Sequence, residues 1–468
     1  MKYYPRVPQV EVTPRLPTPN GGTRSLGPQP AITRPAPALL AFRKPTGLQT
    51  VGFYAFALFL FFYYSRLLDF VLPYLHLPLV VAVIAGVATL MSGRLVKSMT
   101  SPVGALLAFL TFWFTLGVAT SIWRGGSFNV LKQEWTRAVL VFPLAASLIV
   151  TSTQALKSIR ITAFATLVAA GLALAFQFHW EGRLGLPTVN PNDLARVLLF
   201  GICCAWFVSH NRNSSVLVRV FGFVSILVMA FVMLKTGSRA AEISAILILP
   251  ALFFYYSPLG RIRFVIASIL ITVGIILVLP SSSLYRLTVL FEADEPATYE
   301  EASINSEAIG STQSRFYLLR QSIDLTLRNP IFGVGVGMFV VAEDKDAKAV
   351  GRSGNWHGTH NTFTETSSEA GIPALLALVG ILIFSWRDLR RLKANKGLAL
   401  HPHKDEIKLG IMTLKLIFWS SVIGACFAHF TYSPVIPALA AQIYAFCRSV
   451  REEIAELEGA GLSSPRSA

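Results

Sequence analysis

The chain has 468 residues, 53% of them hydrophobic and 14% charged, with a formal net charge of +16 and a mean hydropathy of +0.56. Soluble domains run nearer a quarter charged, so too little polar surface is left to solvate a globular body of this length. Apolar runs longer than about 15 residues recur and do not alternate, which points to a helical membrane protein and excludes a porin-like barrel.

Residues 1–48 carry ten prolines, seven Lys or Arg and a single acid, Glu11. They read as a disordered basic tail without signal-peptide features, expected to stay on the protein at the cytoplasmic side. About twelve candidate spans follow, at 50–64, 78–93, 102–121, 138–151, 161–178, 194–209, 216–234, 240–256, 262–280, 372–386, 411–429 and 434–447. Fifteen basic residues fall in the short loops of one face, including the dense run from Arg387 to Lys408, against eight in the short loops of the other. The positive-inside rule then places both termini in the cytoplasm. Because the basic residues are clustered between apolar runs, they fix orientation, and no nucleic-acid partner is expected.

The expected division is a tail at 1–48, nine helices within 49–280, an outer loop at 281–371, three helices within 372–447 and a second cytoplasmic tail at 448–468. The loop holds twelve of the 25 acidic residues and is far longer than ordinary connections, which suggests a functional subdomain. Within it, Phe316, Leu319, Ile323 and Leu327 recur at helical spacing, predicting an amphipathic helix over Ser314–Arg328 whose apolar stripe lies on the membrane or the bundle. The cysteines, Cys203, Cys204, Cys426 and Cys447, lie in or at the end of apolar segments, where packing is their usual role.

Charges in or beside apolar segments are costly, and Arg196, Arg239, Glu242 and Lys415 are the main cases; each reads as a functional group or as a side chain snorkelling from a helix end. Arg183, Arg196, Lys235, Arg239 and the long loop all map to the outer face. Arginine forks there suit a lipid-linked phosphate or diphosphate, with lipid headgroups as the plainer partner. In the loop, Gly333, Gly335 and Gly337 lack the spacing and setting of a nucleotide-binding loop and read as a close turn after Pro330. Asp344-Lys345-Asp346 spells a metal-binding triplet but sits among other charges, so no metal site is assigned. His360 is followed by Asn361 and by Glu365 and Glu369, which share a helix face if that segment is helical; His360 is a candidate general base or an ordinary packing residue. Asn190 and Asn192 read either as ligands to sugar or phosphate or as a helix cap.

In chain order, NPND before one span, TGSR at the outer end of the next pair, SRFYLLRQSIDLTLRNPIFGVGVGMF in the loop and HNTFTETSSEAG leading into a span resemble the O-antigen ligase and polymerase superfamily of bacterial inner-membrane glycosyltransferases. His360, Asn361 and Gly371 match the ligase motif, while Ala374 stands where that motif has Gly, Thr or Tyr. The resemblance implies an all-α, GT-C-like integral membrane protein of about twelve transmembrane helices, active at the periplasmic face without metal or cofactor. It implies that Arg239 and Arg315 bind the diphosphate of an undecaprenyl diphosphate-linked saccharide and that His360 is the catalytic base of an inverting transfer. Asn361, Arg183, Arg196, Asn190, Asn192 and Glu365 stand as further substrate-binding candidates.

The acceptor glycan implied is the lipid A-core for a ligase of lipopolysaccharide biosynthesis, or another lipid-linked repeat for a polymerase of O-antigen or exopolysaccharide; membrane lipid is the remaining partner. From a different class, a transporter of lipid-linked saccharides would place charges and broken helices near the bilayer midplane.

Overall fold

The computed structural model describes residues 45–68, 77–180, 182–278 and 299–460. Most of the tail predicted at 1–48, the start of the long loop and the last eight residues lie outside the described residues. The described chain is helical apart from one short hairpin.

In chain order the longer helices are α1 (Gly47–Ser65), α2 (Leu77–Met91), a short α3 (Leu95–Met99), α4 (Pro102–Thr120), α5 (Arg124–Val130), a π-helical turn (Leu131–Trp135) and α6 (Thr136–Leu148). Then come α7 (Ser152–Phe176), the hairpin β1 (His179–Trp180) and β2 (Arg183–Leu184), α8 (Pro191–His210), α9 (Val216–Lys235), α10 (Arg239–Tyr255) and α11 (Pro258–Val278). Later in the chain follow α12 (Tyr299–Arg328), α13 (Phe339–Ala349), α14 (Thr362–Ala394), a 3-10 turn (Lys396–Leu400), α15 (Lys404–Ala425) and α16 (Val435–Gly459).

Local sequence explains the starts. Thr46 and Gln49 form a reciprocal capping box on α1, and Ser101 and Asn190 each cap a helix whose first residue is proline. Among the described residues, seven helices, α1, α4, α7, α8, α9, α14 and α15, are candidate membrane spans by length and apolarity, and α2 is a shorter apolar helix. The protein is therefore a multi-pass membrane protein. Each of the twelve predicted segments contains a helix, and seven of them hold one of these candidate spans.

The bundle is graded from centre to rim. α8 and α15 are its most enclosed spans, whereas α2 and α9 present Leu79, Val83, Val87, Leu217, Val220 and Phe223 outward. Buried Ala165, Ala169, Ala170 and Ala173 on α7 let neighbouring backbones approach closely. α16 runs on to Gly459 with Arg448, Val450, Glu453 and Ile454 buried, so residues 448–459 are packed helix rather than the start of a tail. Arg448 donates to the Ala146 and Ile149 carbonyls and so closes the C-terminal end of α6. Cys426 is exposed, unlike the other three cysteines.

Two departures bear on the site. The helix predicted over 314–328 is part of the longer α12; its packed face carries Leu318, Ser322 and Leu325, while Phe316, Ile323 and Leu327 of the predicted stripe are exposed, so of the two surfaces expected for that stripe the bundle is not the one that covers it. The span predicted at 372–386 is the second part of α14, which leaves helical geometry at Gly371 (φ 82°, ψ 175°) two residues before Pro373.

Candidate active site

The break in α14 and the loop before it lock together. Val334 N–H donates to the Ser368 carbonyl at 2.8 Å, Gly335 N–H to the Glu369 carbonyl at 3.0 Å and Ile372 N–H to the Pro330 carbonyl at 2.8 Å. The Glu369 carboxylate accepts from the amides of Gly337 (3.0 Å) and Phe339 (2.9 Å), so it holds the far side of the same turn. A Cβ on Gly371 would lie 1.9 Å from the Ile331 carbonyl oxygen, and the φ there is one that side chains resist. The alternating glycines are thus a structural clasp between the loop and α14. Gly371→Ala should lower stability by on the order of 2 kcal/mol or more, combining backbone strain with a clash against a carbonyl. Thermal unfolding of the detergent-solubilised variant measures this, and an unchanged midpoint would remove the clasp role.

His360 stands at φ 51°, just before Asn361 caps α14 by accepting from Phe363 and Thr364 N–H at 3.0 and 3.1 Å. Asn361 also donates to the Cys426 carbonyl at 3.2 Å, tying the helix start to the connection between α15 and α16. Glu365 is held by the same connection, accepting from Thr431 N–H at 3.1 Å and its hydroxyl at 2.6 Å. That connection brings in His429, whose ring lies 5.5 Å from the His360 ring, and Phe430, whose face is 4.6 Å beneath the Arg196 guanidinium. Arg196 is also paired with Asp193.

The arginines converge on this histidine pair. Arg315, on α12, lies within electrostatic reach of Arg239, Arg196 and His360. Its Nε is buried, and it makes no hydrogen bond or ion pair among the described residues. Burial, then the charge of Arg239, pulls its pKa below the ordinary guanidinium range. Burial and then Arg315, with smaller contributions from His429, His357 and Arg196, pushes His360 down to about 4. His360 is therefore neutral at pH 7, the form a proton acceptor needs.

Arg239 opens α10 two residues after Gly237, whose φ of 60° makes the turn from α9. Arg183 is committed to that turn, donating to the Thr236 carbonyl at 2.9 Å and the Gly237 carbonyl at 3.1 Å, and also to Asn192 Oδ1 at 2.9 Å. In these contacts Arg183 and Asn192 position the turn that carries Arg239. Asn190 caps α8 through Asp193 N–H at 2.9 Å. Glu242, one turn along α10, is 5% exposed, and neither carboxylate oxygen has a hydrogen-bond partner among the described residues; the charges near it are Arg183 and Arg239.

A cavity of about 340 Å³ adjoins Arg196 and His429 and is also lined by Tyr63, Tyr64, Glu134 and Tyr432. Glu134 comes from the π-helical turn, a feature that often accompanies functional sites. His429, Glu134 and Tyr432 went unremarked in the sequence. His429 had a signal, a polar HFTYSP segment at the end of an apolar run, but nothing local pairs it with His360. The Asp344-Lys345-Asp346 triplet is spent on ion pairs to Lys348 and Arg328.

Residues 224–379, a third of the chain, match the family model for O-antigen ligase. The matched stretch supplies Arg239, Arg315, His360 and Gly371, while Arg183, Arg196 and His429 reach the site from outside it. No curated protein matches the chain.

Proposed function

From that match and the convergence on His360, we propose that the protein is an inner-membrane glycosyltransferase that moves a saccharide from undecaprenyl diphosphate to an acceptor sugar. The observation that carries this is Arg315, a half-buried guanidinium without a hydrogen-bond partner among the described residues, set beside Arg239 and the neutral His360. A cation so placed calls for an anion, and a diphosphate leaving group offers several oxygens in the geometry guanidinium forks match.

In the proposed step, His360 takes the proton of the acceptor hydroxyl as its oxygen bonds to the anomeric carbon. The bond from that carbon to the diphosphate oxygen breaks, and the electron pair leaves with the diphosphate between Arg239 and Arg315. Charge grows on the leaving oxygens in a poorly solvated site, where fixed cations stabilise it most. A single displacement inverts the anomeric centre. The reading includes a GT-C-like bundle of about twelve spans, both termini cytoplasmic, the site and a loop subdomain at 281–371 periplasmic, and membrane lipid around the bundle.

Purified protein should transfer saccharide from undecaprenyl diphosphate in the presence of EDTA when given a lipid A-core acceptor. Product only with core present makes it a ligase; longer lipid-linked chains without core make it a polymerase, the reading that Ala374 at the last motif position favours. No turnover with either acceptor would sink the transferase reading. Arg239, Arg315 and His360 grouped in one site speak against transport, for which charges distributed through the bilayer are expected.

A further inference from the structure

Another cavity, of about 440 Å³, lies between α10, α14 and α15. It is bounded by Phe254 at the far end of α10 from Arg239 and by Lys393 at the far end of α14 from His360, so it belongs to the opposite end of the bundle. Sixteen residues of α10, from Arg239 to Phe254, put about 22 Å between those ends. Leu247, Ile248, Ala251 and Phe254 form one wall; Leu247, Phe254 and Trp419 are 55%, 70% and 43% exposed, so the groove opens on the surface that faces lipid.

Lys415 projects into this groove from the middle of α15. It makes no hydrogen bond or ion pair among the described residues, and its Nζ sits 5.4 Å over the Trp386 ring. Its charged neighbours are Lys393 and Arg390, which repel it, and the one acid in that stretch of α14, Asp388, is engaged by Arg451 at 3.0 Å. An ammonium without an acidic partner inside an apolar helix is costly, and three clustered cations make it more so. The remedy must be anionic at the lysines and hydrocarbon along α10. A soluble anion would leave the apolar wall unsatisfied, and a zwitterionic headgroup would bring a fourth cation to the cluster.

We propose that this groove binds one anionic phospholipid, with an acyl chain along Leu247, Ile248, Ala251 and Phe254 and its phosphate held by Lys415 and Lys393. Basic pockets between transmembrane helices are a recurring way to hold such headgroups. The proposal does not depend on the transferase reading.

The test is native mass spectrometry of the full-length protein released from nanodiscs of equal phosphatidylglycerol and phosphatidylcholine. The wild-type protein should retain one phosphatidylglycerol with a preference of about 30-fold, as two lysine contacts provide, and the double variant K393Q/K415Q should lose that preference. Equal retention of both lipids by the wild-type protein, or undiminished preference in the variant, overturns the site. So does displacement of the retained lipid by undecaprenyl phosphate at equal concentration, which would make the groove a polyprenyl site. If the variant does not fold, a photoreactive phosphatidylglycerol decides on the wild-type protein: crosslinks on α15 around Trp419 support the site, and their absence there rejects it.

Discussion

Alanine at Arg239 or at Arg315 should each lower transfer by about 100- to 1,000-fold, the range seen when one preorganised group that stabilises developing charge is removed. The two residues reach the site by different routes. Arg239 sits on a turn fixed by Arg183, whereas Arg315 comes from the middle of α12 and has no partner among the described residues to hold it back from a ligand. If both act on one diphosphate, their losses should not multiply: R239A/R315A should be less impaired than the product of the single effects. Arg→Lys variants should recover only part of the activity, because an ammonium cannot offer two parallel donors. Transfer from the donor by properly inserted single variants, measured at saturating acceptor, checks this. Wild-type-like product from either alanine variant would sink the arginine roles.

His360 carries the second large effect. Because its backbone lies at φ 51°, a region that asparagine tolerates better than alanine, His360→Asn separates the loss of the ring from backbone strain. That variant should cost at least about 100-fold if the imidazole is the general base. The pH profile distinguishes a base from a packing residue. With the ring pushed down to about 4 by burial and its cationic neighbours, the neutral form persists well below pH 6, so kcat/KM for the donor should keep its value to about pH 5 and fall only below it. On the proposed reading, diphosphate bound beside Arg315 would offset its charge and restore some affinity for the proton. The acid limb of kcat should therefore lie at higher pH than that of kcat/KM. A kcat/KM limb at the ordinary histidine value, or one unchanged in His360→Asn, would assign the titration to another group.

Much of the molecule is legible in one dimension. Long apolar runs have few stable arrangements in a bilayer, because every backbone N–H and C=O must be satisfied within the segment, and so they become helices. Asn190 is legible as a helix cap because its side chain takes up a free amide, whereas Gly371 reads in the sequence only as a motif residue, and its place at the break of α14 against Ile331 belongs to the tertiary structure. Arg239 stands out because a charge beside an apolar segment is costly, whereas Arg315 and His360, in the long loop, stand out through the motifs they belong to.

Faces and partners are decided by the tertiary structure. Lipid and protein interior are both apolar, so hydrophobic periodicity does not say which side of a helix is packed. α12 carries apolar residues on two sides, and only its packing selects Leu318 and Leu325 over Phe316, Ile323 and Leu327. The same holds for polar residues. Arg183 and Arg196 look alike in the sequence, yet one is spent on the backbone of the Thr236-Gly237 turn and the other stacks on Phe430 beside the histidines. His429 meets His360 only because Asn361 and Glu365 fasten the start of α14 to the connection between α15 and α16. The sequence by itself determined which residues are expensive to place in a membrane; where those costs are offset depends on which helices lie side by side, and no local pattern encodes that.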